Sequence, residues 1–260
     1  MLIGRGIRKC FNGREVLHGV DIEVSSGRIS VLVGPSGSGK TTLVRALALL
    51  DCPTEGRVAF QGHDYSFPLR GRARIRPPWP ELTVVFQQHF LWPHLTLRQN
   101  IELPLRERPA SRHTVDDLIE LFRMRDFVDR YPNAASIGER QRAALARAFA
   151  LEPKCILLDE ITSSLDVEQT GSVIRHLLAL RQRGVGMLVV THLLEFARRL
   201  LSRDEGDRIF FLDEGRIAAA AGVEFFDSPA TERAREFLHS MDYWGASSIC
   251  DTKHKGGYLP

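Results

Sequence analysis

The chain has 260 residues, 43% of them hydrophobic and 26% charged, which is long enough for a full core in one large domain or two closely joined lobes. Its net charge of +3 is too small to argue for nucleic acid, and no run of about 18 apolar residues is present to cross a bilayer. Cys10, Cys52, Cys155 and Cys250 are too scattered for a disulfide framework or a zinc site and read as reduced cytosolic thiols.

In chain order, Met1 to Phe11 lacks the apolar stretch of a secretory signal. Asp21 to Val24 alternates polar and apolar residues, Ser25-Ser26-Gly27 is a turn, and Arg28 to Val33 is strand-like again. This pattern predicts a hairpin feeding a buried strand. A glycine-rich loop at 34–39 precedes a predicted helix from Thr41 to about Leu50, stopped near Pro53. Arg57 to Phe60 reads as a short strand. Residues 64–80 are rich in Arg and Pro, with Arg70, Arg72, Arg74 and Arg76 ahead of Pro77-Pro78-Trp79-Pro80, and a solvated loop is expected there.

Leu82 to Phe86 resumes a strand, and residues 93–152 are helical in pattern. Val115, Leu118, Ile119 and Phe122, for example, fall on one face. Apolar strands at Cys155 to Leu158 and Met187 to Val190 alternate with helices at 166–183 and 193–202, which implies a parallel α/β sheet. Arg208 to Leu212 and Arg216 to Ala221 flank Asp213-Glu214-Gly215 as a late hairpin. A last helix is predicted from Pro229, with Ser228 as N-cap, to His239. The tail from Met241 to Pro260 shows no period and is expected to be mobile.

Gly34-Pro35-Ser36-Gly37-Ser38-Gly39-Lys40-Thr41 matches G-x-x-x-x-G-K-[ST] in full. Glycines let successive backbone N–H groups face phosphates, and the following helix adds its positive end. Lys40 supplies charge to the β/γ-phosphates, and the Thr41 hydroxyl ligates Mg²⁺. The motif sits between a predicted buried strand and a predicted helix, the context that a nucleotide triphosphate site requires.

Cys155-Ile156-Leu157-Leu158-Asp159-Glu160 is an apolar strand ending in two carboxylates. A strand buried on both faces delivers its last residues to the C-terminal edge of the sheet. Asp159 is expected to hold Mg²⁺, and Glu160 to accept a proton from an attacking water. Val189-Val190-Thr191-His192 ends another such strand, which makes His192 a candidate contact for the γ-phosphate and that water.

Together these residues resemble the ATP-binding-cassette (ABC) family, over about residues 3 to 240. The resemblance implies an α/β fold. It combines a P-loop NTPase (RecA-like) core on a parallel sheet, an antiparallel β subdomain, and a helical subdomain inserted at roughly 93–152, with a C-terminal tail at 241–260. It implies that Gly34, Pro35, Ser36, Gly37, Ser38, Gly39, Lys40, Thr41 and Thr42 bind ATP. Phe11 stands where the family stacks an aromatic on adenine, and Val16 resembles the companion apolar contact. Gln87, directly after Phe86, resembles the glutamine linking Mg²⁺ and water to the transmembrane partner. Ser163-Ser164-Leu165-Asp166 resembles the loop through which paired subunits sense each other.

The family signature is Leu-Ser-Gly-Gly-Gln; here Ala135-Ser136-Ile137-Gly138-Glu139 is followed by Arg140-Gln141-Arg142. Ser136, Gly138, Gln141, Arg142 and Arg147 fit, whereas Ala135, Ile137 and Glu139 depart. In the family this element closes over the γ-phosphate held by the opposite subunit. Ser136-x-x-Glu139 is a capping box, so Glu139 is expected to point back to the Ser136 N–H while the helix end still faces phosphate. Ile137 crowds a spot where glycine allows close approach. Ile161, where the family commonly has proline, is a milder departure.

Leu91 to Leu97 and the segment from Glu195-Phe196-Ala197 through Pro229 to Leu238 are similar to polar amino-acid importers. The resemblance therefore implies an ATP-hydrolysing subunit, peripheral at the cytoplasmic face of the inner membrane, with ATP and Mg²⁺ as cofactors. Its implied partners are transmembrane permease subunits, a second ABC subunit of the same or a different kind and, indirectly, a substrate-binding protein; nucleic acid is not among them. A cassette for lipoprotein release, cell division or export stays open beside this reading. So does a weakly hydrolysing nucleotide sensor, which the altered signature favours.

Overall fold

The computed structural model describes residues 1–69, 75–107, 114–162, 167–202 and 206–247. Its first half contains β1 (Leu2–Phe11), β2 (Arg14–Val24), β3 (Ile29–Val33), α1 (Lys40–Leu47), β4 (Glu55–Phe60), β5 (His63–Phe67), β6 (Leu82–Val85), α2 (Leu97–Glu102) and α3 (Val115–Leu121). Next come α4 (Ile137–Ala150), β7 (Cys155–Asp159), α5 (Val167–Gln182), β8 (Gly186–Val190), α6 (Leu194–Leu200), β9 (Arg208–Asp213), β10 (Arg216–Ala221) and α7 (Glu232–Ser247). Arg70, Arg72, Arg74, Cys250 and the loop ending at Asp166 lie outside the described residues.

The strands form two sheets, an antiparallel one in the order β2-β1-β4-β5 and a six-stranded one in the order β10-β9-β3-β8-β7-β6. In the larger sheet β9, β3, β8, β7 and β6 run parallel, and β10 closes the edge antiparallel to β9. Every residue of β3, β7 and β8 is buried, because each strand is covered on both faces. Alternate side chains serve two cores. Val31, Leu158 and Val189 pack with the helices α4, α5 and α6, while Leu32, Leu157 and Leu188 pack with α1 and the small sheet. The long apolar runs read from the sequence are thus shared between two interfaces, and each fully buried aliphatic side chain contributes about 1.5–3 kcal/mol.

The hairpin expected across 21–33 is overturned. β2 pairs with β1, whereas β3 pairs with β8 and β9, so Ser25 to Gly27 passes from one sheet to the other. The N-terminal hairpin instead joins β1 and β2 through Asn12-Gly13, with φ of 48° and 80°. Asn-Gly suits that geometry because both residues tolerate positive φ. The loop expected over 64–80 begins later than predicted. His63–Phe67 forms the edge strand β5 on β4, and Arg57 bridges to the Asp64 carboxylate across the pair at 2.7–2.9 Å.

The final helix starts at Glu232, not Pro229, because Thr231 Oγ1 accepts from the Ala234 N–H at 3.2 Å. It also passes His239 and runs to Ser247, with Met241 packed against the core that Phe237 and Leu238 enter one turn earlier. The predicted aperiodic tail is therefore helical at its start.

The predicted helical stretch at 93–152 contains α2, α3 and α4, each opened by a capping box: Thr96 with Gln99, Thr114 with Asp117, and Ser136 with Glu139. Such caps stabilise a helix start by about 1 kcal/mol. Buried Asn100 donates to the carbonyls of Trp92, Leu95 and Thr96 and accepts from the Trp92 N–H. It thereby fixes the path from β6 into these helices.

Candidate active site

Parallel pairing sets the level at which each strand ends. Val85 lies opposite Leu158, Asp159 opposite Val190, and Leu32 opposite Val190. One step further, the chain leaves the same edge at Glu160, at Thr191 and His192, at the loop from Gly34, and at Phe86 and Gln87. The predicted Lys40, Asp159, Glu160 and His192 thus meet at one sheet edge, as the strand reading required.

Between β3 and α1 the loop folds tightly over its own backbone. Gly37 and Gly39 have φ of 80° and 103°, and a Cβ at Gly34 would collide with the Leu212 carbonyl oxygen. A Cβ at Gly39 would approach Leu17 and Val16 at 3.0–3.5 Å. The turn between β9 and β10 braces the loop, with the Gly215 N–H donating to the Ser38 carbonyl at 3.1 Å. Nothing local to Leu212 or Gly215 in the sequence marks their contact with this loop.

Lys40 is buried, and its Nζ donates to the carbonyls of Gly34 and Pro35 at 2.9 Å each. Burial lowers its proton affinity, and the charges of Glu160 and Asp159 oppose that fall. Asp159 is buried at the end of β7. Burial raises its pKa, against a hydrogen bond from the Thr41 side chain; the Glu160 charge adds to the rise and Lys40 opposes it. Among the described residues Asp159 Oδ1 and Ser38 Oγ are buried without a hydrogen-bond partner.

This oxygen donor set fits Mg²⁺, which needs only one or two protein oxygens beside water and phosphate. No group of three or more His, Cys, Asp or Glu side chains gathers among the described residues to hold a metal.

Glu160 adopts φ of 52° while its N–H donates to Val190 at 3.0 Å. His192 Nδ1 lies 3.8 Å from Glu160 Oε1. Gln87 is exposed just past β6. Arg147 of α4 ties the neighbouring segment down by donating to the carbonyls of Phe90 and His89 at 2.9 Å. That link is legible only in three dimensions.

Val16 sits against Gly39 and Gly215, and Phe11 ends β1 43% exposed, with Lys9 Nζ 4.9 Å from its ring centre. Ser136 caps α4, and Glu139 Oε2 accepts from the Ser136 N–H at 2.7 Å, as the capping-box reading expected. Gly138 leaves room for Gln169, whose Oε1 would stand 2.9 Å from a Cβ there.

A family model described as ABC transporter matches residues 17–163. The octopine permease ATP-binding protein P of Rhizobium meliloti is 39% identical over 247 residues, covering 90% of this chain and 92% of its own. The glutamine transport ATP-binding protein of Escherichia coli (strain K12) is 36% identical over 247 residues, covering 93% of this chain and 100% of its own. Among solved structures, a dimeric ATP-binding cassette in a post-hydrolysis state bound to ADP and phosphate superposes with a TM-score of 0.72. It is 28% identical and covers 86% of this chain and 99% of its own.

Proposed function

This chain belongs to the ABC transporter family and is an ATP-hydrolysing subunit; from that premise we propose that it powers uptake of a polar amino acid through a membrane permease. The meeting of Lys40, Thr41, Asp159, Glu160 and His192 at one sheet edge carries the catalytic reading. The likeness to octopine and glutamine transport proteins over nine-tenths of the chain supports the class of cargo.

Backbone N–H groups of the 34–39 loop and the start of α1 hold the phosphates, with Lys40 neutralising their charge. Thr41 and Asp159 would hold Mg²⁺, joined by Gln87, and that ion would supply charge stabilisation to the phosphate oxygens. Glu160 takes the proton of the attacking water, and His192 orients that water and the γ-phosphate. Phe11 and Val16 cover the adenine. Ser136 and Gly138 face the nucleotide held by a second ABC subunit, and Asp166 meets that subunit.

An apolar groove of about 770 Å³ runs between β6 and α4, lined by Trp79, Val84, Phe90, Trp92 and Pro104 together with Arg147. Trp79, Phe90 and Trp92 are each more than half exposed, the composition of a docking surface. It lies beside Gln87 and receives the permease, which holds the chain at the cytoplasmic face of the inner membrane. A substrate-binding protein completes the importer. No helix among the described residues is long and apolar enough to cross a membrane.

The test is Glu160→Gln. ATP affinity is expected to be retained while steady-state hydrolysis falls by about 10²–10⁴, the usual worth of a placed base; undiminished turnover removes Glu160 from the role. The altered signature favours one rival, a nucleotide sensor with little turnover, and the wild-type hydrolysis rate in the permease complex decides between the two.

A further inference from the structure

Glu139 brings a negative charge into the signature, and the fold supplies it with a partner that no sequence motif marks. Its Oε2 accepts from the Ser136 N–H at 2.7 Å, and its own N–H donates to Ser136 Oγ at 3.2 Å. Arg130 Nη1 also donates to this carboxylate, to Oε1 at 3.2 Å and to Oε2 at 3.5 Å. The Glu139 side chain is only 16% exposed, so water screens it weakly, while Arg130 is 50% exposed. Arg130 reaches it from a fixed backbone, since its carbonyl accepts from the Leu97 N–H at 2.9 Å and its N–H donates to Phe127 at 3.0 Å.

We infer that Arg130 is a positioning residue for the ATP-driven pairing of two subunits: by pairing with Glu139 it preserves a net positive helix start at Ile137 and Gly138 for the phosphates of the opposite subunit. The inference rests on the reading of Ser136 and Gly138 as facing a second subunit's nucleotide. A capping box turns the carboxylate back without removing its charge. A helix N-terminus carries roughly half a positive charge, which a bare carboxylate in the first turn outweighs. With Arg130 in place the sum is positive again.

The experiment uses the full chain carrying Glu160→Gln, with ATP-driven association followed by sedimentation. Adding Arg130→Ala is expected to weaken association by roughly three- to tenfold at low salt. Adding Glu139→Gln as well restores it, and Arg130→Lys keeps most of it. The defect also shrinks at 1 M KCl, where charges are screened beyond about 3 Å. A merely structural role for Arg130 predicts neither rescue by Glu139→Gln nor a response to salt. If Arg130→Ala associates like its parent, or if Glu139→Gln fails to rescue it, the proposal is overturned while the two-subunit reading stands. If the Glu160→Gln parent itself does not associate with ATP, the two-subunit reading falls and this inference with it.

Discussion

Glu160 holds a backbone conformation that a non-glycine residue avoids, at φ of 52°. Such a residue costs of order 1–3 kcal/mol and persists where its surroundings over-determine it. Here the bond to Val190 on one side and buried Asp159 on the other supply that constraint. The result is that Asp159 and Glu160, adjacent in sequence, do different work: one carboxylate stays buried beside Thr41 while the other turns toward His192. Gly34 is constrained in the opposite sense, because it has no room for a side chain. Gly34→Ala would drive a Cβ into the Leu212 carbonyl, and backbone cannot yield as a side chain can. The expected result is a loss of about 1–3 kcal/mol of stability, read as a fall of several degrees in Tm. At least a tenfold loss of MgATP affinity by calorimetry should accompany it, and an unchanged affinity would mean that the loop tolerates the shift.

At the scale of elements, the parallel strands do the placing, and they are anchored at their opposite ends. Asp207, just before β9, is fully buried and accepts from the Ile29 N–H at 2.7 Å, the Ser202 N–H at 3.0 Å and Arg181 Nη1 at 2.8 Å. One carboxylate thus joins the start of β3, the end of α6 and the last turn of α5. Removing one partner of a buried pair leaves the other charge uncompensated, which typically costs 3–5 kcal/mol. Asp207→Ala is therefore expected to lower the unfolding free energy by about that amount in urea titration, although the site lies at the other end of β3. A change below about 1 kcal/mol would show that the anchor carries no weight.

For the whole molecule, the helices inserted between β6 and β7 supply α4 and, with it, one wall of the groove, while α1 packs between the two sheets. Arg147 joins these regions, reaching from α4 to the segment after Gln87, so a partner seated in the groove touches the strand that leads to the catalytic edge. Phe90→Ser together with Trp92→Ser removes exposed aromatic surface rather than core. Co-purification with the membrane fraction is expected to drop at least fivefold, with Tm moving by no more than about 2 °C. Retained co-purification would take the permease away from this groove.

The sequence by itself determined that the 34–41 loop, Asp159-Glu160 and His192 stand at strand ends, because each lies within or directly beside a strand whose apolar run is unmistakable. It also determined the Ser136 capping box, since a helix start needs only neighbours a turn apart, and the likeness to amino-acid importers is matched by the relatives found. Only the tertiary structure decided which strands share a sheet. The hairpin expected over 21–33 does not form because alternation shows that a segment is extended but not what it pairs with; the local turn signal lies at Asn12-Gly13. The same limit hid the contacts that Leu212, Gly215, Arg130 and Arg147 make. Most of their partners stand far off along the chain, and no motif links Arg130 to Glu139, so such contacts exist only once folding has brought the segments together.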